Sequence, residues 1–185
     1  MLAHPSLPVL GEILLGILVA IAAIFDIRYR RIPNWLTLAG ILAGFAWNGL
    51  AFGAPGLGRA AAGLGLGLLL YFPLYLIRAR GAGDVKLLAA AGAIIGPGNC
   101  FWLFLLTAIL GGLIAIVLLM FRGRMRRTFF NMGFIVHDLA RLRAPYRSSE
   151  ELDVTTTKGM RLPHGALMAA GVIALIAIAR SGWTI

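Results

Sequence analysis

Of the seven acidic residues in this chain, two stand at the ends of long apolar runs, in Ile24-Phe25-Asp26-Ile27-Arg28 and in Gly81-Ala82-Gly83-Asp84-Val85-Lys86. An ionisable side chain in or beside a bilayer-spanning segment is costly to hold there, so its presence points to function. Two carboxyls sharing one small site cannot both ionise cheaply, and one proton is then held between them. The ionised member can take a proton from water while the protonated member donates to a peptide carbonyl oxygen. Amide hydrolysis needs that arrangement when no metal or nucleophilic side chain takes part. Asp26 and Asp84 are therefore expected to be a catalytic pair. Gly81 and Gly83 would let backbone beside the acid bend towards an extended substrate. Lys86 and Arg28 either tune the acids or anchor helix ends among lipid phosphates, and anchoring is the favoured reading.

Other chemistries have less to stand on. His4, His137 and His164 are scattered without metal-ligand spacing, and each reads as an ordinary polar side chain. Cys100 is the single cysteine, so no disulfide forms within the chain, and it reads as a small apolar residue in a helix. Neither metal nor cofactor is expected. The glycine-rich run around Gly63, Gly65 and Gly67 precedes no lysine–serine phosphate loop, so nucleotide binding has no support. The net charge of +10 lies in short connectors between apolar runs, a distribution that suits anionic membrane headgroups and not nucleic acid.

The elements that must position the acids are membrane helices. Hydrophobic residues make up 60% of the 185-residue chain and charged residues 13%, about half the charge of a soluble domain. Six spans are predicted within a single membrane domain, 1–185. The first runs from Leu7 to Phe25, about 28 Å of helix. Glu12 inside it reads as a first-turn acid facing the positive helix end or interfacial water. No base precedes this run and several follow it, so it is expected to be retained and not cleaved as a leader. Pro33 and Asn34 open the second span, Trp35 to Phe52, with Asn34 as its cap and Trp35 at the lipid boundary.

A turn at 53–56 leads to the third span, Leu57 to Ile77, whose Gly63 and Gly67 permit close helix contact or are simply tolerated facing lipid. The fourth segment, Val85 to Ile95, is too short to cross unaided: either the turn after it lies near the outer surface and Asp84 stands at membrane depth beside a wet cavity, or that turn is itself recessed. Gly96-Pro97-Gly98-Asn99 ends it, and Asn99 is expected to cap the fifth span, which reaches Phe121. Met132, Ile135, Val136, Leu139 and Leu142 then recur at helical spacing among arginines, predicting a surface amphipathic segment between helices five and six. The sixth span runs from Pro163 to Ala179.

Charge sets the orientation. Of 17 bases, all but Arg59 and Arg180 fall after spans one, three and five. Positive connectors stay cytoplasmic, so both termini are expected on the periplasmic side. An even number of crossings separates Asp26 from Asp84, which brings both to the cytoplasmic face.

These residues resemble a known family. Asp26-Ile-Arg-Tyr-Arg-Arg-Ile-Pro-Asn-Trp-Leu-Thr37 and Gly81-Ala-Gly-Asp-Val-Lys-Leu-Leu88 look like the two signature stretches of aspartic prepilin peptidases, the type IV leader peptidase family. The similarity is greatest to the short TadV/CpaA-like form that serves tight-adherence (Tad or Flp) pili. It implies a multi-pass enzyme of the bacterial inner membrane that removes the basic leader of prepilins, after a glycine, at the cytoplasmic face. The family's catalytic pair maps onto Asp26 and Asp84. Leu162-Pro163-His164-Gly165 resembles the family's Pro-aromatic-Gly stretch opening the last span, which implies a site-shaping role for Pro163 and Gly165; His164 stands where the family has an aromatic ring. Larger members also methylate the new amino terminus and carry a cysteine-containing insertion after span one. This chain has only a short connector there, so methyltransferase activity is not expected.

Two other classes compete. A small proton-coupled transporter would use Asp84 and Lys86 as relay groups, but the inverted repeats that favour one are not seen. A non-catalytic factor of the pilus assembly machinery would work without either acid.

Overall fold

The computed structural model describes residues 8–76, 80–121 and 163–181, and all regular structure among them is helical. Four helices result: α1, Val9–Tyr29; α2, Asn34–Leu76; α3, Ala82–Phe121; and α4, His164–Arg180. The expected amphipathic segment between helices five and six lies outside the described residues. By length and composition, α1, α2 and the Ala82–Leu118 part of α3 could each cross a membrane, and α4 is a shorter apolar helix.

Neither α2 nor α3 is a straight rod. A straight helix of 43 residues would extend about 64 Å, twice a bilayer's hydrocarbon thickness. Instead α2 breaks at Gly53 (φ 64°, ψ −145°) and α3 at Gly96 (φ 79°, ψ 174°), conformations that a side chain would resist. Each break reverses the chain. A Cβ on Gly56 would sit 1.9 Å from the Asn48 carbonyl oxygen, and one on Gly92 would sit 2.9 Å from Cys100 Sγ. Residues eight apart in one straight helix are about 12 Å distant. The turns predicted at 53–56 and 96–99 are thus present, each tightened to one glycine.

The central column is the short segment before Gly96. Leu87, Leu88, Ala89, Ala90, Ala91, Ala93, Ile94 and Ile95 are all buried, on every face. A helix apolar all round is a buried helix, and this one needs no full membrane span because neighbours surround it. Its small side chains admit close packing. A Cβ at Gly63 would lie 2.0 Å from the Gly92 carbonyl oxygen, and one at Gly44 would lie 2.7 Å from the Ala93 carbonyl carbon. The Gly63/Gly67 pair therefore packs helix to helix, and a second such pair, Gly40/Gly44, lines the other side. Around this column, side chains such as Leu42, Leu69, Val117 and Ile173 face outward, as a lipid solvent would favour.

The break at Gly96 opens carbonyls at the end of the column, and Pro97 has no N–H to offer Ala93. Side chains close them. Asn48 Nδ2 donates to Ala93 O at 3.0 Å and Ile94 O at 3.1 Å, while Arg59 donates to Ile95 O at 3.1 Å. Asn99 does not cap the following helix as expected; it is buried and donates to Ile95 O at 3.3 Å. Nor does Asn34 cap α2. It is the helix's first residue, and its amide oxygen accepts from Lys86 Nζ at 3.0 Å. Asn34 is taken by a donor from another helix, whereas Asn99 turns back to the carbonyl four residues before it.

α1 and α4 run antiparallel, tied by Arg180 to Glu12 at one end and by Gly165 to Asp26 at the other. Glu12 is the first-turn acid of α1, as expected, but it is buried and salt-bridged and does not face water.

Candidate active site

Asp26 lies in the last turn of α1, which continues past the expected end at Phe25 to Tyr29. Arg30 then adopts the left-handed conformation (φ 55°), its N–H returning to Asp26 O at 2.9 Å, and this stops the helix. The carboxylate is buried and accepts the Gly165 backbone N–H at 2.7 Å. Pro163, extended at the start of α4, supplies no side-chain cap. Asp26 takes that position from another helix, its Oδ2 accepting the free N–H at the start of α4. The fit is tight: a Cβ on Gly165 would lie 3.1 Å from both Asp26 Cβ and Ala22 O.

Asp84 lies in the first turn of α3, its N–H bonded to Gly81 O at 3.1 Å. Gly83 is inside the same turn, where a Cβ would press on Ile32 Cβ at 3.2 Å, so its smallness lets the connector after α1 pack against α3. Gly81 is exposed, and neither glycine takes a positive φ. Asp84 is half-buried and within electrostatic reach of Arg80 and Asp26. Acids separated by 58 positions in the sequence thus arrive at one end of the bundle.

Lys86 and Arg28 stay outside this cluster. Lys86 is exposed on Asn34, and the Arg28 guanidinium lies over the neighbouring Tyr29 ring at 5.8 Å.

Three residues close to the acids had not been singled out as site residues. Arg80 is fixed to the end of α2 by its N–H, which donates to Leu74 O at 3.2 Å. Its guanidinium bonds His164 Nδ1 and sits 5.6 Å from the centroid of the Tyr71 ring. Tyr71 Oη lies 2.8 Å from His164 Nε2. An arginine can only donate, so Nδ1 is the acceptor, Nε2 carries the proton, and His164 is a neutral imidazole donating to Tyr71. Tyr71 and His164 are 1% and 4% exposed. Tyr71 was findable, because it continues the four-residue spacing of Gly63 and Gly67 onto the same buried face. Arg80 carried no such signal among the connector arginines.

Among the described residues no group of histidine, cysteine and acid side chains could hold a metal ion. Cys100 is buried beside the Gly96 break, as a small core residue.

Comparison with known sequences bears on most of these residues. The model of the type IV leader peptidase family matches residues 13–116, a stretch that holds Asp26, Tyr71, Arg80 and Asp84 but not α4. A prepilin leader peptidase/N-methyltransferase of Klebsiella pneumoniae is 36% identical over 102 residues, covering 51% of this chain and 44% of that protein. The chain thus spans less than half the length of that relative. No solved structure matches.

Proposed function

We propose a function from one premise, that this chain belongs to the type IV leader peptidase family. It is an aspartic endopeptidase that cleaves the leader from prepilins of the Tad or Flp type, with Asp26 and Asp84 as the pair that activates water. The reading extends to six spans, with α2 and α3 each contributing two. The termini are periplasmic, and the acids lie at the cytoplasmic face of the bacterial inner membrane. Both glycine reversals support this count, because each turns one long helix into two antiparallel segments. The connector bases Arg28, Arg30, Arg31 and Arg80 at the aspartate end support the orientation.

The reaction divides between the two acids. One carboxylate takes a proton from water as the water oxygen attacks the scissile carbonyl carbon. The other, protonated, donates to the carbonyl oxygen. Collapse of the resulting gem-diol breaks the C–N bond, and the amine nitrogen leaves with a proton from the pair. What supports the pairing is that Asp26 and Asp84 stand at the same end of the bundle, the first held by Gly165 N–H and the second in the entry turn of α3, four residues after the Arg80 that bonds His164.

The test is co-expression with candidate prepilins and measurement of leader loss by mass. Asp26→Asn and Asp84→Asn should each lower cleavage at least about 100-fold, the lower bound for a positioned general acid or base, while membrane insertion is unchanged. Near-normal cleavage by either variant would refute the assignment. Piliation restored by the double variant would select an assembly factor instead.

A further inference from the structure

His164 and Gly165 are consecutive residues at the start of α4, and each reaches a different acid's surroundings. The Gly165 N–H holds Asp26 directly at 2.7 Å. The His164 side chain holds the Arg80 guanidinium, and Arg80 stands four residues before Asp84 at the entry to α3. Tyr71 closes the far side of the imidazole at 2.8 Å, with ring centroids 5.4 Å apart, and Arg80 lies over the Tyr71 ring. Three elements remote in sequence converge: the second half of α2, the entry to α3 and the first turn of α4.

We propose that Arg80, His164 and Tyr71 form a positioning unit that couples the two acids, with neutral His164 accepting from Arg80 and donating to Tyr71. The inference deepens the peptidase reading and rests on it for its kinetic arm. Within the unit, each residue supplies something the others lack. Arg80 brings a fixed positive charge and a planar fork, and cannot give up its proton. His164 accepts and donates on opposite sides of one ring, so it sets the distance between Arg80 and Tyr71. Tyr71 fills space with an aromatic face beneath the cation and offers an oxygen to Nε2–H. Because α4 carries both the His164 anchor and the Gly165 donor, a displacement of this helix end would move both acids' partners together. A buried polar group whose only role was to be satisfied would need no cation from the edge of the site.

Two measurements test the unit, one independent of catalysis. The first is nitrogen NMR of histidine-labelled protein in bilayers at neutral pH, the signal of His164 assigned by its loss in His164→Asn. The expected spectrum is that of a neutral ring protonated at Nε2. A doubly protonated ring or a proton on Nδ1 would overturn the proposal. The second is cleavage kinetics per folded molecule. Arg80→Met and His164→Leu should lower kcat about 100-fold, the cost of misplacing a reacting group by about 1 Å. KM should stay within about threefold, since substrate binding is left in place. His164→Asn keeps an acceptor near the Nδ1 position and should recover about 10-fold of that loss. Unchanged kcat in Arg80→Met, or an asparagine no better than leucine, would overturn it. A wild-type protein that cleaves no better than Asp84→Asn would sink the peptidase reading, while the NMR result would still decide the hydrogen-bond unit.

Discussion

Two stripes on α2 follow one pattern and arrive at different ends. Gly40, Gly44 and Asn48 run at four-residue spacing, as do Gly63, Gly67 and Tyr71, and each stripe lies buried with its glycines against the central column. Since α2 reverses at Gly53, one stripe delivers its polar residue beside the Gly96 break and the other beside the acids. Asn48 spends one amide on three backbone carbonyls, Gly44 and Ala93 at 3.0 Å and Ile94 at 3.1 Å. Those acceptors belong to the main chain and cannot change protonation. Tyr71 instead meets an imidazole that is shared with a guanidinium. Identical packing thus closes one end of the bundle with main-chain acceptors and equips the other with a chain of side-chain hydrogen bonds.

The comparison breaks first if the glycines are not equivalent. Gly44→Val and Gly63→Val should both be severe, because the added atoms meet backbone that cannot rotate away. Each is expected to cost about 3 kcal/mol or more, the upper range for overpacking, and to remove most of the monodisperse protein recovered in detergent. Full recovery of either would mean that its stripe does not hold the column closely. The polar ends should then separate. Asn48→Leu leaves the carbonyls of Ala93 and Ile94 without their donor, a loss of about 2 kcal/mol to be read as a lower thermal midpoint. Turnover by the remaining folded fraction should stay within about threefold of wild type, because the lost bonds are remote from the acids. Arg80→Met, at the opposite end, should show its effect in turnover. A common fall in turnover for both variants would erase the distinction between the ends.

Much of this arrangement was legible in the chain. Apolar run length, the prolines and the paired glycines marked the breaks, because backbone geometry restricts which residues can stand there. The acids stood out because charge is rare in such surroundings. What escaped was the identity of partners. Asn34 and Asn99 looked like caps by local position, yet Lys86 and the Ile95 carbonyl claimed their amides. Arg59 looked like a stray outer base and proved to donate to the broken helix end. His164 looked ordinary because neither Tyr71 nor Arg80 is near it in sequence. Local pattern fixes where helices begin and end, while hydrogen-bond partners depend on which helices become neighbours.

The smallest expected effect concerns the ion pair that ties α1 to α4 at the end remote from the acids. Glu12 and Arg180 are in contact, but their side chains are 9% and 67% exposed, so the pair is buried on one side and hydrated on the other. Removing either member should therefore not be equivalent. Glu12→Gln keeps an oxygen that can accept from Arg180 and leaves the guanidinium in a wet setting, so its cost should be under about 1 kcal/mol, as for exposed pairs. Arg180→Gln strands a carboxylate that is nearly out of reach of solvent, and should lower the thermal midpoint further than its counterpart does. Neither change should alter cleavage by the folded protein. Equal shifts from the two variants would mean that Glu12 is hydrated after all, and the far end would then owe its closure to Asn48 and Arg59 alone.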